Sequence, residues 1–333
     1  MTADAAQKRQ PAETMRLETM QALRAQLEGG CVGHRGCRGL REEAPENTLA
    51  AFMEAERHPS VAAVELDVQL TSDRRLVVFH DSDVTRLLDR EDADGPSGVA
   101  QLPLHTIQRL RHRSLPPAVP LSEFTRVPTL KAVLRWLMSE NTSRGRPLPV
   151  MVELKQPGAE EALREVVALL EELREGLPVE RHCWLACFDP RVLRSARRLV
   201  PSLPTCQLVF GSPLEAMRGA AAGELGQGHA DERRALRRAW KRLNRSRCGR
   251  MALLGPVARL LDAVWNAFWT SRLLRWLVGY SLIAVTPDLA SRHQVHRRLQ
   301  DGVLTLVWTI NSPSLKAQLE ANGAFVITDT AIA

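Results

Sequence analysis

The chain has 333 residues, of which 44% are hydrophobic, so it can bury a substantial core in one large α/β domain or in two ordinary ones. Its formal charge of +7 and pI near 9.5 favour anionic partners such as phosphate esters, nucleic acid or acidic lipid surfaces. No run of about 18 uninterrupted apolar residues occurs, and residues 1–30 lack an apolar signal core. These features predict a cytoplasmic protein without a signal peptide or a membrane-spanning helix, and any membrane contact would be peripheral.

The cysteines have neither the spacing of a small disulfide-bonded domain nor a CxxC pair, and they lie at positions 31, 37, 183, 187, 206 and 248. They are interpreted as reduced, mostly buried thiols in a reducing compartment. Cys183 and Cys187 would share one face of a strand, but a zinc site would need a second pair of ligands.

The amino-terminal segment 1–30 is predicted to be a tail and a helix that precede the main domain. Residues 1–12 are interpreted as a disordered tail, and residues 13–27 carry apolar side chains at helical spacing before Gly29 and Gly30. We expect this helix to cap the bottom of a barrel, with dimerisation as the alternative.

The first short strand, in residues 31–36, ends in His34 and Arg35 and contains a glycine on each side of that pair. Glycine lets the backbone turn tightly or approach a ligand closely. A helix is predicted to begin at about Asn47, after Pro45 and Glu46. The chain then returns in a second strand, so His34 and Arg35 are expected at the carboxyl edge of a parallel sheet.

The stretch 62–81 carries the strongest chemical signal. Glu65 and Asp67 alternate with apolar residues, so on a strand both carboxylates point to the same face and need a cation, a shared proton or water. A second short strand then delivers His80 and Asp81. Paired carboxylates near a histidine suit metal-assisted phosphoryl chemistry, whereas the alternative is a solvated edge strand with a surface histidine.

Residues 149–155 form another apolar strand, which ends in Glu153 and Lys155 on one face. A charged pair at the end of a buried strand is costly unless it meets partners. Glu153 could supply the third carboxylate for a cation beside Glu65 and Asp67. The alternative is a solvent-exposed strand end.

Helices and strands alternate through the rest of the chain, which is typical of a β/α barrel. Nine candidate strands compete for eight places, and the residues between Val68 and Leu76 are too few for a crossover helix. The predicted fold is therefore a distorted (β/α)8 TIM barrel over residues 31–333 that is irregular around His80.

An insertion interrupts the barrel at residues 211–279, before the seventh barrel unit. Residues 211–231 are rich in Gly and Ala, residues 232–250 are densely basic, and residues 251–279 combine helical apolar spacing with several Trp and Arg. Segment 232–279 is interpreted either as a peripheral membrane or partner contact, or as an amphipathic helix folded onto the core. No basic readout module surrounds the arginines, so nucleic acid is not an expected partner.

Seven short motifs along the chain indicate a family when they are taken together. In chain order they are HRG (34–36), PENT (45–48), ELD (65–67), HD (80–81), ELK (153–155), WTIN (308–311) and ITD (327–329). Their order and spacing resemble the glycerophosphodiester phosphodiesterase family from about Cys31 to the end of the chain. Within that family, the Trp-rich insertion looks like the membrane-interacting branch found in animals.

The resemblance implies a distorted TIM barrel that hydrolyses glycerophosphodiesters to glycerol 3-phosphate and an alcohol. It also implies one divalent cation, Mg²⁺ or Ca²⁺ with Mn²⁺ as a further option, held by Glu65, Asp67 and Glu153. His34 and His80 would be the general acid and base. Hard oxygen ligands without Cys or His agree with Mg²⁺ or Ca²⁺ rather than zinc.

Other residues take supporting roles by the same resemblance. Arg35 and Lys155 would bind the phosphate, Glu46 would support the site, and Trp308 would contact the substrate. Two alternatives stay open. The first is a lysophospholipase D that acts on lysolipids or glycerophospho-N-acylethanolamines at a membrane surface. The second is a membrane-associated scaffold that uses residues 233–276 for binding and the barrel only as a platform.

Overall fold

The computed structural model describes residues 3–38, 40–41, 43–90, 95–139, 143–145, 147–155, 158–211, 264, 267–268 and 271–331. Most of the predicted insertion 211–279, including the basic segment 232–250 and most of the Trp-rich segment 251–279, lies outside these residues.

Eight parallel strands within the described residues close a barrel, and a ninth strand lies outside it. In chain order the strands are β1 (Cys31–Gly33), β2 (Val61–Leu70), β3 (Leu76–Val78), β4 (Val150–Leu154), β5 (Cys183–Cys187), β6 (Thr205–Val209), β7 (Leu282–Val285), β8 (Leu304–Val307) and β9 (Phe325–Thr328). β1 pairs with both β2 and β9, which completes the ring. The predicted TIM-barrel architecture is confirmed.

The surplus strand is β3, which pairs antiparallel to the end of β2, with Val78 opposite Val68. A chain that turns back immediately can only make an antiparallel pair, because a parallel one needs a long crossover. The amide of Phe79 donates to the Asp67 carbonyl at 2.9 Å, and the Gln69 side chain holds the carbonyls of Phe79 and Asp81. This hairpin carries His80 back to the carboxyl end of the barrel.

The helices of the described part of the chain surround the barrel or cover its ends. They are α1 (Ala3–Leu27), α2 (Leu49–Arg57), α3 (Leu104–Ile107), α4 (Leu130–Leu137), α5 (Ala159–Leu173), α6 (Val179–His182), α7 (Pro190–Leu199), α8 (Arg272–Val278), α9 (Arg292–Gln300) and α10 (Pro313–Ala321). Thr48 and Thr129 cap α2 and α4 by accepting a backbone N–H, as their hydroxyls predict. None of these helices is both long and apolar enough to cross a membrane.

The helix α1 closes the amino-terminal end of the barrel. Its Leu23 and Leu27 are buried among the side chains of the barrel interior, including Met151 and Trp184. The predicted capping role is therefore confirmed. The prediction of a disordered tail over residues 1–12 was wrong in its extent, since the helix begins at Ala3, in a stretch of Ala, Gln, Lys and Arg that favours helix.

Alternation along β2 and β4 decides which side chains reach the barrel interior. Val64, Leu66 and Val68 pack outward in the cluster beneath the helices, together with Val150, Val152 and Leu154. The residues between them point inward. The interior set ends, at the carboxyl edge of both strands, in Glu65, Asp67 and Glu153.

Candidate active site

Three carboxylates meet at the carboxyl end of β2 and β4. The parallel register places Asp67 beside Glu153 and Glu65 beside Met151. One oxygen from each of Glu65, Asp67 and Glu153 lies within 4.8 Å of the other two. All three side chains are buried. Glu65 and Glu153 are 88 residues apart in the sequence, and the pairing of the two strands brings them together.

Nearby donors compensate part of this negative charge. The Lys155 ammonium lies 2.6 Å from Glu153 Oε1 and 3.3 Å from Asp67 Oδ1. The Asn47 amide donates to Asp67 Oδ2 at 2.7 Å. Asn47 adopts φ = 60°, a left-handed backbone that asparagine tolerates better than most residues. Asn47 is thus a site residue that the sequence analysis did not single out, although it lies in the PENT motif.

Glu65 keeps the least compensated carboxylate of the three. Its Oε2 accepts the Arg35 backbone N–H at 2.9 Å, but its buried Oε1 has no hydrogen-bond partner among the described residues. Burial raises the pKa of Glu65 well above its ordinary value, and the charges of Asp67 and Glu153 act in the same direction. The oxygen-only donor set and the orphaned Oε1 fit a hard divalent cation such as Mg²⁺ or Ca²⁺.

The opposite balance holds at Asp67. Burial disfavours its ionised form, but the charges of Lys155 and Arg35 outweigh burial and hold the pKa of Asp67 below its ordinary value. Asp67 therefore stays ionised beside Glu65 at neutral pH, which leaves the pocket with a fixed negative charge where a cation would be attracted.

His34 follows β1 at its carboxyl end and lines the same pocket as His80. Its Nδ1–H donates to Asp329 Oδ1 at 2.6 Å, which leaves Nε2 towards the carboxylates, 3.9 Å from Glu65 Oε2. Burial lowers the pKa of His34, and the neighbouring Arg35 charge lowers it further. The ring is thus held as a neutral imidazole in one orientation.

The turn after His34 is tightly packed. Arg35 has φ = 53°, in the left-handed region where a residue with a Cβ is strained. Gly36 follows with φ = 80°, and a Cβ there would lie 2.9 Å from the Ala51 backbone of α2. The HRG motif therefore needs its glycine because the turn presses against α2 while it aims two functional side chains.

His80 has a matching arrangement of hydrogen bonds. Its Nδ1–H donates to Asp81 Oδ1 at 2.7 Å, and Arg86 holds the same carboxylate through Nε at 2.5 Å and Nη2 at 2.9 Å. Burial lowers the pKa of His80 to about 3, and Lys155 acts in the same direction. His80 is therefore neutral at physiological pH.

Arg35 is wholly buried at the floor of the site. Its Nη1 donates to Glu46 Oε1 at 2.8 Å, and its Nε lies 3.3 Å from Asp67 Oδ2. Its Nη2 has no hydrogen-bond partner among the described residues. That N–H group is available to an anionic oxygen. Glu46 does not line the pocket itself, but it contacts Arg35, which does.

The pocket over these groups has one charged side and one apolar side. Its lining is His34, Arg35, Glu65, His80, Met151, Glu153, Lys155, Phe188, Leu208, Trp308 and Ile327. Phe188 and Phe210 stack with their ring centroids 4.4 Å apart, and Trp308 meets both rings edge-on at 6.1 and 5.2 Å. Such an aromatic wall suits the carbon skeleton of a substrate whose phosphate faces the charged side.

The structure thus gathers the residues singled out from sequence into one site. Seven of them line the pocket, namely His34, Arg35, Glu65, His80, Glu153, Lys155 and Trp308. Asp67 and Glu46 lie directly behind it, in contact with Arg35. Sequence reasoning gave no role to Arg38, Asp81, Arg86 or Asp329, although the last lies in a recognised motif at the end of β9 and Asp81 adjoins His80.

Comparison with known proteins agrees with this geometry. The sequence model of the glycerophosphoryl diester phosphodiesterase family matches residues 34–332. The chain is similar to the Bacillus subtilis protein YhdW, at 34% identity over 178 residues, which is 52% of this chain and 63% of YhdW. It is also similar to glycerophosphodiester phosphodiesterase 1 of Bos taurus, at 24% identity over 319 residues, which is 93% of this chain and 81% of the bovine protein.

Among solved structures, a phosphodiesterase from Oleispira antarctica in complex with the product sn-glycerol 3-phosphate has the same fold. The TM-score is 0.58 at 20% sequence identity, over 91% of this chain and 93% of that one. The family match covers nearly the whole barrel and every motif named above, from HRG to ITD. The chain therefore belongs to the glycerophosphoryl diester phosphodiesterase family, a family of phosphoric diester hydrolases.

Proposed function

We propose that the protein hydrolyses glycerophosphodiesters to sn-glycerol 3-phosphate and an alcohol, with Mg²⁺ or Ca²⁺ bound by Glu65, Asp67 and Glu153. The observation that carries the proposal is the convergence of these acids with two carboxylate-oriented imidazoles in one pocket. The product found in the Oleispira antarctica phosphodiesterase supports the same reaction.

A cation held by the three acids would polarise the phosphoryl oxygens and offset the charge of the diester. The Arg35 Nη2 group and the Lys155 ammonium face the same place, so each can donate to a phosphate oxygen. Both remain protonated at neutral pH, since neighbouring carboxylates raise the pKa of Arg35 and of Lys155 despite burial.

The two imidazoles carry the protons. A neutral imidazole accepts the proton of the attacking hydroxyl. The other imidazole donates a proton to the oxygen of the departing alcohol, and it takes up that proton when the anionic diester binds, because a nearby negative charge raises the pKa of an imidazole. His34 and His80 approach the carboxylates from two different strands, β1 and the hairpin after β3, so they can serve the two sides of one phosphorus. Asp329 and Asp81 stabilise the positive charge that each ring gains.

A substrate panel tests this function. We expect release of glycerol 3-phosphate from glycerophosphocholine or glycerophosphoinositol in the presence of Mg²⁺, Ca²⁺ or Mn²⁺, followed with a coupled dehydrogenase assay. No release from any glycerophosphodiester with any of the three cations would refute the proposal. The parallel measurement with a lysolipid and with a glycerophospho-N-acylethanolamine decides between this activity and a lysophospholipase D.

The lysophospholipase D activity is the second candidate because of the apolar side of the pocket. Phe188, Phe210 and Trp308 could lie along the first carbons of an acyl chain. Small soluble diesters are favoured over lysolipids because, in the part of the chain that the structure describes, an exposed apolar surface lies at the other end of the barrel.

That surface lies on α8 and α7. Leu273, Trp276 and Leu277 of α8 are 62%, 78% and 42% exposed, and Trp276 and Leu277 share a groove with Arg194 and Arg198 of α7. We propose that this surface contacts an anionic membrane, with the indole in the interface and the arginines near lipid phosphates. α8 leads into the amino end of β7, so a bound membrane would face away from the pocket.

Vesicle sedimentation tests the membrane contact. We expect Trp276→Ser to lower binding to phosphatidylserine-containing vesicles severalfold, because transfer of an indole into the interface is lost. Turnover of a soluble glycerophosphodiester should stay unchanged. Leu121→Ser, at an apolar side chain that is 37% exposed elsewhere, is the control. Equal binding of both variants and the unsubstituted protein would show that this surface does not contact lipid.

A further inference from the structure

The two imidazoles of the site are supported in the same way. Asp329 accepts from His34, and Arg38 holds Asp329 through Nε at 2.7 Å and Nη2 at 3.0 Å. Asp81 accepts from His80, and Arg86 clamps Asp81 through two nitrogens. Each ring therefore rests on a carboxylate that is fixed by a guanidinium fork, the geometry with the strongest directional preference available to an ion pair.

Both arms end on one carboxylate. Glu46 Oε2 accepts from Arg38 Nη1 at 3.0 Å, and Glu46 Oε1 accepts from Arg86 Nη2 at 2.9 Å. A continuous path of hydrogen bonds thus runs from His34 through Asp329, Arg38, Glu46, Arg86 and Asp81 to His80. The two ends of this path are the two groups that would move protons on opposite sides of the phosphorus.

We propose that Glu46 is a positioning residue that aligns His34 and His80 together, through Arg38 on one side and Arg86 on the other. The inference rests on the proposed function, since the aligned rings matter to catalysis only if they move protons in that reaction. It gives Glu46 a role beyond holding Arg35, because its two oxygens serve different arms.

Burial makes this linkage effective. Glu46 is 7% exposed, and the Asp81 and Asp329 side chains are 10% and 12% exposed. Charge-assisted hydrogen bonds are stronger and less screened at such sites than at the surface. Glu46 also stays ionised there: burial opposes its charge, but Arg35 and Arg86 outweigh burial and hold the pKa of Glu46 well below its ordinary value.

The location of Glu46 gives the arrangement its rigidity. Glu46 lies in the turn before α2. There the backbone N–H of Asn47 donates to the Arg35 carbonyl at 3.0 Å, and Thr48 caps the helix. The same turn holds Asp67 through the Asn47 side chain. One short segment therefore aligns the imidazoles and fixes a carboxylate of the cation site at once.

Glu46→Gln separates this role from a purely structural one. An amide keeps the shape but loses the negative charge that both arginines bind, and its NH₂ group faces one of them without a bond, so both arms loosen. We expect kcat to fall by about 10- to 100-fold, because small misplacements of reacting groups cost about that much. KM should change by less than about threefold, because binding groups stay in place.

Glu54→Gln is the matched control. Glu54 lies on α2, eight residues after Glu46, and also binds two arginines, Arg41 and Arg57, but it lies outside the site. We expect its kcat to equal that of the unsubstituted protein. A Glu46→Gln variant with unchanged kcat and a raised KM would overturn the inference, because Glu46 would then act only through Arg35 on phosphate binding.

Proton NMR of the two Nδ1–H groups tests the linkage without any turnover. Hydrogen bonds to carboxylates at 2.6 and 2.7 Å should place both signals at low field. Asp329→Asn should change only the His34 signal, and Asp81→Asn only that of His80. Glu46→Gln should change both, and an effect on neither or on only one overturns the inference.

A second variant guards against misfolding of Glu46→Gln. Arg38→Lys keeps the charge but cannot bridge Asp329 and Glu46 with a planar fork. If Glu46 links the arms, this variant shifts the distant His80 signal as well as that of His34. A shift confined to His34 contradicts the linkage. Failure of the proposed function is recognised separately, as absence of turnover in the unsubstituted protein.

Discussion

His34→Ala and His80→Ala are each expected to lower kcat for glycerophosphodiester hydrolysis by about 10²- to 10⁴-fold, the range that proton transfer by a positioned side chain contributes. Each ring has one nitrogen committed to a carboxylate, at 2.6 Å for His34 and 2.7 Å for His80, and lines the pocket beside the three acids. Removal of either ring leaves one proton of the reaction without a positioned group. Initial rates measured with glycerophosphocholine at saturating substrate check the expectation.

The fold should survive both substitutions, because the rings lie at the pocket and outside the two large apolar clusters of the barrel. Unchanged far-UV circular dichroism is the measurement. His105→Ala serves as the control, since His105 is exposed on α3, and its kcat should match that of the unsubstituted protein. Unimpaired turnover in His34→Ala or His80→Ala would contradict the assignment of these residues.

Removal of divalent cations is expected to abolish activity, because the cation supplies several kcal/mol of transition-state stabilisation, equivalent to about 10³-fold or more in rate. A chelator should also lower the Tm, since binding energy that favours the folded state is lost and Glu65, Asp67 and Glu153 then repel one another. Addition of Mg²⁺ or Ca²⁺ in excess should restore both properties. Cleavage that persists in the chelator would refute the proposed cation requirement.

Glu65→Gln distinguishes the cation site from ordinary structural acids. The folded protein raises the pKa of Glu65, so the stability linked to its protonation is present at low pH and lost as the pH rises through the raised value. A neutral amide escapes this cost and keeps the oxygen that accepts the Arg35 N–H. We expect no activity, but a higher Tm than the unsubstituted protein in chelator, by about 2 to 4 °C for each kcal/mol of relieved repulsion.

Two comparisons complete this experiment. Added Mg²⁺ should no longer raise the Tm of Glu65→Gln, whereas it should still raise that of Glu171→Gln, a substitution at a side chain that is 63% exposed on α5. A Glu65→Gln protein that is less stable than the unsubstituted one in chelator would mean that Glu65 holds the fold together and does not serve a cation.

The structural features that could be predicted from the sequence depend on residues that are close in the chain or that recur at a regular spacing. Alternation put Glu65 and Asp67 on one face of a strand, and that face is indeed the barrel interior. Helical spacing and a threonine cap located α4, whose Leu130, Val133 and Leu134 are buried as expected. Parallel strands present their carboxyl ends at one edge of a sheet, so the position of His34 near those acids was also predictable.

Other features needed contacts between distant segments. Nine strand candidates could not be reduced to eight from the sequence, because only pairing shows that β3 turns back on β2 outside the ring. The aromatic wall joins Phe188, Phe210 and Trp308 from three different βα units. Trp308 lies in a recognised motif, but Phe188 and Phe210 leave no local pattern, since each reads as an ordinary apolar residue at a strand end.

Periodicity and short motifs were enough to predict the barrel, the three acids, the two histidines and the family, because they depend on residues that are near one another in the chain. How the imidazoles are held follows only from the folded arrangement. The partner of His34 lies 295 residues away at Asp329, and the arginines that fix both carboxylates meet at Glu46. Hydrogen bonds between side chains depend on distances of a few tenths of an ångström, which the packing of the whole barrel sets and no sequence spacing encodes.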